Sequence, residues 1–353
     1  MRALVYPFRA EYSYFVEALK SYRKDLEVTS VVIPKAYSKY CPIPDGLNIF
    51  SKFDDALPNV DCVIFLPIDN VNLLHEKAAI TLAKGKKVII GAAMPINLLN
   101  SLKEKARENN SSIEFQDNLY LTEFLRRRAD IFTQQESVVI AVGTLTQGIN
   151  TSKIVVKLRE ELSNRGYSVG VIGTSPELNA LNIENLPLDE MIQTDLDDTI
   201  VQINRFVNLF QLKNRSNIII LQLPSEGLYR VSSDYSTCFG AKTYLLSQAI
   251  DIDYCIMVTP YMDMDGEVFS ELSDISEKRY GFGYDALCFE HKVVDLQGTP
   301  GETEIRYYLT ESEGVQDTVA RLRNEDNIGR LYLDSSDDWY GYVADNIIEQ
   351  LSR

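Results

Sequence analysis

Cysteine, histidine and tryptophan are scarce in this sequence, and their scarcity limits its chemistry. The chain has 353 residues, of which one is tryptophan, two are histidines and five are cysteines. The cysteines are odd in number and form no CxxC pair, which argues against a disulfide framework and indicates a reduced, cytoplasmic protein. His75 and His291 have no second histidine or cysteine at ligand spacing, so neither predicts a metal site.

Long apolar runs are also missing. No stretch approaches the roughly 20 apolar residues that span a bilayer. The amino-terminal apolar run ends at Pro7, which is too early for the hydrophobic region of a signal peptide. We therefore expect no membrane partner.

Positive charge is in short supply. Lys and Arg number 35 against 51 Asp and Glu, a formal net charge of −16. Proteins that bind nucleic acids need clustered basic residues, and the one notable cluster, residues 126–128, is typical of a solvated helix face. We expect no nucleic-acid partner, whereas an acidic surface suits a basic segment of another protein.

The first third of the chain alternates short apolar runs with amphipathic segments. Helical spacing is evident at Phe15, Leu19 and Tyr22. Strands are predicted at residues 2–5, 28–33, 62–66, 88–91 and 112–115. This alternation predicts parallel strands joined by right-handed crossovers, a Rossmann-like domain. No GxGxxG motif follows these strands, so a dinucleotide site has little support.

The chain is predicted to have two domains. We expect a Rossmann-like domain at residues 1–118, a connecting helix or linker at 119–137, and a P-loop-like α/β domain at 138–353. In the second domain, strands are predicted at 138–142, 169–173, 217–223, 254–259 and 330–333, and helices at 199–212, 241–249 and 339–351. The fold class is α/β, with two doubly wound, mostly parallel three-layer domains, the second similar to P-loop NTPases.

Residues 138–174 have the layout of a phosphate-binding loop. The apolar run 138–142 predicts a central parallel strand, and an amphipathic helix follows, with Gly166 just past its end. Backbone N–H groups and the positive end of a helix dipole attract a phosphate at such a turn. The turn contains the candidate binding residues Gly143, Thr144, Gly148, Asn150, Thr151, Ser152 and Lys153.

This turn departs from the standard P-loop, GxxxxGK[ST]. Gly143 and Gly148 have the correct spacing, but Ile149 and Asn150 occupy the lysine and hydroxyl positions, and Lys153 comes four residues late. One interpretation is an anion site that takes ATP or GTP with magnesium. The other is an ordinary strand–helix turn, capped by Asn150, Thr151 or Ser152.

Glu226 is the acidic candidate beside the turn. It follows the strand predicted at 217–223, where P-loop proteins carry a carboxylate that holds metal-bound water; a simple turn acid is the alternative. His291 has no evident catalytic partner in the sequence. Asp334, Asp337 and Asp338 are predicted to cap the last helix. The residues assign no catalytic group and no resident metal ligand.

Two segments resemble a known protein family. They are GINTSKIVVKLREELSNRGYSVGVIGT, residues 148–174, and LQLPSEGLYRVSSDYSTCFGAKTYLLSQAIDIDYCIMVTPY, residues 221–261. Both look like the peptide maturation system proteins of clostridial ribosomal-peptide cassettes, which also encode radical SAM enzymes and a Cys-rich precursor. Gly148, Asn150 and Lys153 match residues that recur in the loop of that family.

A more distant resemblance is to P-loop proteins related to dethiobiotin synthetase. In that wider group a Rossmann-like domain precedes the P-loop domain, and a glutamate-glycine element matches Glu226 and Gly227. The lysine of that group directly follows the second glycine, unlike Lys153 here, which counts against ATP hydrolysis.

The resemblance implies a pathway rather than a reaction. It implies an accessory protein of ribosomal-peptide maturation that binds a nucleotide or phosphate, with the precursor peptide or the radical SAM enzyme as its partner. A second hypothesis is a pseudo-NTPase scaffold that binds these partners without a nucleotide. A third is a transferase that uses a phosphorylated small molecule. The oligomeric state stays open, a homo-oligomer included.

Overall fold

The computed structural model describes residues 1–35, 41, 45–116, 136–192, 195–228, 240–263, 265–295, 305–325 and 329–351. The chain divides into two compact units, one made of residues 1–117 and 175–185 and the other of residues 118–174 and 186–353. The linker predicted at 119–137 lies outside the described residues, apart from residues 136 and 137.

The first unit is built on a six-stranded parallel sheet. Its strands are β1 Arg2–Tyr6, β2 Glu27–Val32, β3 Asn48–Phe50, β4 Cys62–Phe65, β5 Lys87–Ile90 and β6 Ile113–Glu114. Its helices are α1 Ser13–Tyr22, α2 Phe53–Ala56, α3 Val71–Ala83 and α4 Ile96–Glu108. The strand order is β3-β2-β1-β4-β5-β6, which is the order of Rossmann folds. Leu4, Val63 and Val88 of the sheet pack against Leu74 of α3 and Leu102 of α4.

The segment 175–185 packs with this first unit, although the sequence analysis includes it in the second domain. It contains a short 3-10 helix, Pro176–Leu181. The guanidinium of Arg23, whose side chain is 3% exposed, donates hydrogen bonds to the carbonyl of Ala180 (3.3 Å) and to Oδ1 of Asn182 (3.2 Å). The same guanidinium pairs with Glu114 at 2.6 Å, so one buried cation fastens the segment.

The second unit is built around a seven-stranded sheet. The strands of this sheet are β7 Val138–Thr144, β8 Val169–Gly173, β10 Ile218–Gln222, β11 Tyr254–Pro260, β12 Ala286–Glu290, β15 Leu331–Asp334 and the two-residue β9 Glu184–Asn185, which belongs to the segment 175–185. A separate hairpin contains β13 Lys292–Val294 and β14 Tyr307–Leu309. The helices are α5 Ser152–Asn164, α6 Leu188–Met191, α7 Leu196–Asn214, α8 Ala241–Ala249, α9 Gly266–Tyr280, α10 Ser312–Glu325 and α11 Tyr340–Leu351. The strand order is β15-β12-β11-β7-β10-β8-β9.

The connections reverse direction next to β7. From β7 the chain crosses through α5 to β8 on one side of the sheet order, whereas β11 leads through α9 to β12 on the other side. Right-handed crossovers then put α5 and α9 on opposite faces. Phe206, Leu246, Phe269 and Val319 of α7 to α10 share one core cluster, while α5 packs against α11. Such a switch point forms a ligand crevice at the carboxyl ends of the strands.

The two mostly parallel sheets with flanking helices confirm the predicted fold class. The predicted bounds of β8 and α8 are reproduced residue for residue, whereas β3 was not predicted and β7 continues two residues beyond its predicted end. Gly166 has a φ of +91° and follows α5 as predicted, with the N–H of Tyr167 bonded to the carbonyl of Leu162. Within the described ranges, no helix combines the length and apolar character required to cross a bilayer.

Candidate functional site

The turn after β7 begins at Leu145, later than the sequence indicates. Gly143 belongs to the strand, where a Cβ atom would lie 2.7 Å from Cδ1 of Leu223 and 3.1 Å from Sδ of Met257. A glycine at position 143 is therefore explained by the close packing of β7 against its neighbours rather than by contact with a phosphate. The backbone N–H of Leu145 bonds to the carbonyl of Val258 at 2.8 Å, which fixes the start of the turn 145–151.

Thr144 and Gly148 shape the turn from within. The hydroxyl of Thr144 donates to the carbonyl of Thr146 at 2.7 Å and accepts from the N–H of Thr146 at 3.3 Å. Gly148 is exposed and has a φ of +86°, a conformation that disfavours any residue with a Cβ atom. Its N–H donates to the carbonyl of Ser225 at 3.4 Å. Gly148 thus supplies the positive φ that the turn needs, with its backbone exposed.

A second turn, residues 223–228, holds the first one in place. Gly227 has a φ of +75°, and a Cβ atom there would lie 2.7 Å from both the nitrogen of Gln147 and the carbonyl carbon of Thr146. The N–H of Leu228 donates to the carbonyl of Leu145 at 3.1 Å. The two turns pack backbone against backbone, so the glutamate-glycine element has a structural reason for its glycine.

Glu226 bonds to the amino terminus of α8. Its Oε1 accepts a hydrogen bond from the N–H of Lys242 at 2.9 Å, at the amino terminus of α8. Burial raises the pKa of this carboxyl group, although the N–H groups of Lys242 and Thr243 and the positive charge of Lys242 oppose the rise. Glu226 therefore acts as a remote cap of α8.

The first residues of α5 are bonded to β10. Nε2 of Gln222 donates to the hydroxyls of Thr151 and Ser152, at 3.1 Å each, and Oε1 of Gln222 accepts from the N–H of Thr174 at 2.9 Å. Both hydroxyl residues are buried. Oδ1 of Asn150 accepts from the N–H of Ser152 at 2.8 Å, so of the three capping candidates Asn150 makes that bond.

Lys153 is the exposed cation of this turn. It lies in the first turn of α5 and forms no ion pair with any residue in the part of the chain that the structure describes. Its charge reaches the buried thiol of Cys288 on β12. Burial raises the pKa of that thiol well above its ordinary value, Glu290 and Asp334 raise it further, and Lys153 lowers it. A cation, two carboxylates and the turn therefore share the carboxyl end of the sheet.

Tyr307 of β14 covers the turn. Its hydroxyl lies 3.0 Å from Oγ1 of Thr146 and donates to the carbonyl of Gln147, and its ring approaches Gly148. Burial raises the pKa of this phenol, and the bond with Thr146 lowers it. The tyrosine is remote from the turn in sequence, so no local signal identifies it.

His291 has a partner that the sequence analysis did not find. Its Nε2 lies 2.6 Å from Oδ1 of Asp334, the last residue of β15. Asp334 is buried, and its Oδ1 also accepts from the N–H and hydroxyl of Ser336. Burial tends to raise the pKa of Asp334, but the bonds from His291 and Ser336 hold it below its ordinary value. The prediction that Asp334 caps α11 is wrong, because Asp334 ends a strand and binds His291.

The described residues contain no preformed metal cluster. No group of three or more histidine, cysteine, aspartate or glutamate side chains among them is arranged to hold a metal ion. Glu226 is bonded to α8, and the hydroxyls of Thr151 and Ser152 are bonded to Gln222. The turn, Asn150 and Lys153 fit a phosphate better than they fit a protein-bound cation.

Comparison with known proteins supports the architecture. No protein-family model and no curated protein matches this chain. Among solved structures, it resembles the crystal structure of a DUF1611 family protein from Anabaena variabilis, with a TM-score of 0.61 and 12% sequence identity over 99% of each chain. At that identity the likeness establishes the fold alone. The α/β fold of this chain therefore has a counterpart among solved structures.

Proposed function

We propose that the turn 145–151 and the start of α5 bind a phosphate group, with ATP and GTP as the first candidates. The observation that carries the proposal is Lys153, an exposed cation without an ion-pair partner in the described ranges, one residue into a helix that faces a switch-point crevice. Gly148, exposed at a positive φ, lets a ligand approach the backbone closely. The helix dipole adds to the attraction.

Calorimetry with ATP, GTP, ADP and inorganic pyrophosphate, each with and without magnesium, tests this proposal. Lys153→Ala is expected to weaken binding about 10- to 100-fold, since a charge-assisted hydrogen bond contributes about 1.5–3 kcal/mol. Lys278→Ala is the matched control, because Lys278 is also exposed and lies near the carboxyl end of α9. Equal affinities of the Lys153→Ala, Lys278→Ala and wild-type proteins for these ligands would refute the proposal.

We further propose that this binding serves an accessory role in ribosomal-peptide maturation in the cytoplasm. The support is the resemblance of residues 148–174 and 221–261 to peptide maturation system proteins. The partner is the precursor peptide or the radical SAM enzyme, and the net charge of −16 favours a basic segment of either one. Pull-down experiments with the precursor peptide and with the radical SAM enzyme test this role. If neither associates with this protein at micromolar concentrations, the result counts against it.

A pseudo-NTPase scaffold is the second candidate, and a specific observation favours it. The groups that would hold metal or activate water are already bonded, Glu226 to α8 and the hydroxyls of Thr151 and Ser152 to Gln222. Binding without hydrolysis is therefore the expected outcome. Release of inorganic phosphate from ATP that depends on Lys153 would contradict the scaffold.

A further inference from the structure

His291 and Asp334 stand at the same end of the sheet as the phosphate turn. His291 follows β12, and Asp334 ends β15, its neighbour in the sheet. In the strand order, β12 is two positions from β7. Since neighbouring parallel strands are about 4.8 Å apart, β7 and β12 lie about 10 Å apart across the sheet. That span is within reach of one small ligand.

The hairpin formed by β13 and β14 contacts both the turn 145–151 and His291. Tyr307 at the start of β14 contacts the turn through Thr146 and Gln147, while the N–H of Thr310, just past β14, donates to the carbonyl of His291 at 3.1 Å. The positive charge of Lys153 also lowers the pKa of Cys288, a residue near the carboxyl end of β12. The histidine, the lysine and the turn therefore belong to one region of the second unit.

The hydrogen bonds of Asp334 determine which histidine nitrogen is available. Three donors converge on its Oδ1, namely Nε2 of His291 and the N–H and hydroxyl of Ser336, so the carboxylate is fixed in orientation. An ionised carboxylate only accepts, which puts the proton of a neutral imidazole on Nε2. In that neutral form Nδ1 carries a lone pair, and no hydrogen bond to it is found within the described ranges. The side chain of His291 remains 19% exposed.

We propose that His291, oriented by Asp334, is a hydrogen-bond-accepting subsite of the phosphate site, whose Nδ1 accepts a hydrogen bond from a hydroxyl or amino group of the bound ligand. The inference rests on the proposed function, because the phosphate turn positions the ligand. It defines the ligand class as a phosphorylated molecule that also carries a hydroxyl or amino group able to reach His291. The alternative is a purely structural tie between the ends of β12 and β15.

The small number of histidines makes the subsite directly observable. The chain contains only His75 and His291, so His75→Gln leaves one imidazole in a nitrogen-15 NMR spectrum, and His291→Gln confirms the assignment. In neutral His291 the proton is expected on Nε2. Asp334→Asn is expected to shift the proton toward Nδ1, because an amide can donate to Nε2. A proton on Nδ1 in the unmodified dyad would overturn the inference.

Ligand protection separates a subsite from a structural tie. In the His75→Gln protein, the rate at which diethyl pyrocarbonate modifies His291 is measured with and without ATP. At an ATP concentration about ten times the Kd from calorimetry, the rate is expected to fall about tenfold, in proportion to the free fraction. Inorganic pyrophosphate, which has no hydroxyl or amine to reach His291, is expected to protect less.

The outcomes distinguish the subsite from the phosphate site itself. If calorimetry shows that ATP binds through Lys153 while the modification rate and the Nδ1 resonance are unchanged, the subsite is refuted and the phosphate site stands. If neither ATP nor pyrophosphate binds, the phosphate site is refuted, and the subsite with it. Protection by ATP that is lost in Asp334→Asn, with ATP affinity retained at the turn, supports the subsite.

Discussion

Replacing Gly227 by alanine tests whether the turn 145–151 depends on the turn 223–228 that follows β10. Gly227 has a φ of +75°, and a Cβ atom would lie 2.7–2.8 Å from the backbone of Thr146 and Gln147. Backbone atoms cannot swing aside as a side-chain end can, so the turn 145–151 must move. We therefore expect both a loss of stability and a loss of ligand affinity.

The magnitude has two parts that a matched variant separates. A left-handed φ costs alanine about 1–2 kcal/mol relative to glycine, and forcing an extra carbon into packed atoms costs about 1–3 kcal/mol more. Gly281, with a φ of +82° and no atom within 4 Å of its Cβ position, carries the first cost without the second. Gly227→Ala is thus expected to lose about 2–5 kcal/mol and Gly281→Ala about 1–2 kcal/mol.

The single tryptophan provides the assay. Trp339 is buried next to α11 in the second unit, so its fluorescence during urea unfolding reports on that unit. Calorimetry with pyrophosphate on both variants then measures how far the ligand affinity of the turn 145–151 has changed. The reasoning is refuted if Gly227→Ala is no less stable than Gly281→Ala and binds pyrophosphate as wild type does.

Three further predictions concern buried charges and are measured by urea unfolding. Arg23→Ala is expected to destabilise the first unit by about 3 kcal/mol, because it removes a buried cation from its carboxylates. Circular dichroism measures the loss of stability, and a change below about 1 kcal/mol would contradict this prediction. Glu226 has a raised pKa in the folded state, so its contribution is present below the unfolded pKa of about 4.3 and lost as pH rises through the folded value. At neutral pH Glu226→Gln, which keeps the cap acceptor, is therefore expected to be at least as stable as wild type, whereas Glu226→Ala loses about 1 kcal/mol; equal losses would refute the cap. Asp334 has a lowered pKa in the folded state, so its contribution is present above the unfolded value of about 3.9 and lost as pH falls through the folded value. The stability difference between wild type and Asp334→Asn is thus expected to shrink below about pH 4, and a constant difference would refute the argument.

The positions of the strands and helices follow from the sequence because their signals are local. Unbroken β-branched runs such as residues 138–142 predict buried parallel strands, and helical spacing with a glycine at the end predicts α5 and Gly166. Both depend on neighbours within a few residues. The three-residue strand β3 is too short to carry such a pattern, and the sequence analysis missed it.

The site was only partly predictable because its contacts join distant residues. The turn 145–151, Asn150 and Lys153 can be recognised in the sequence as a motif. Gln222 can be recognised as a polar residue near the end of an apolar strand. Nothing near Thr146 points to Tyr307, and nothing near His291 points to Asp334. The association of residues 175–185 with the first unit likewise depends on Arg23, more than 150 residues away.

Local sequence patterns are enough to predict the α/β class, the strand–turn–helix unit around residues 138–174 and the position of Lys153 at the start of α5. The contacts of each polar group in this region become visible only in the folded chain. The tertiary structure assigned Gly143 to packing, Glu226 to the amino terminus of α8, the hydroxyls of Thr151 and Ser152 to Gln222, and Asp334 to His291. Hydrogen bonds and close approaches form wherever the fold brings atoms within about 3 Å, and a linear pattern does not contain those distances.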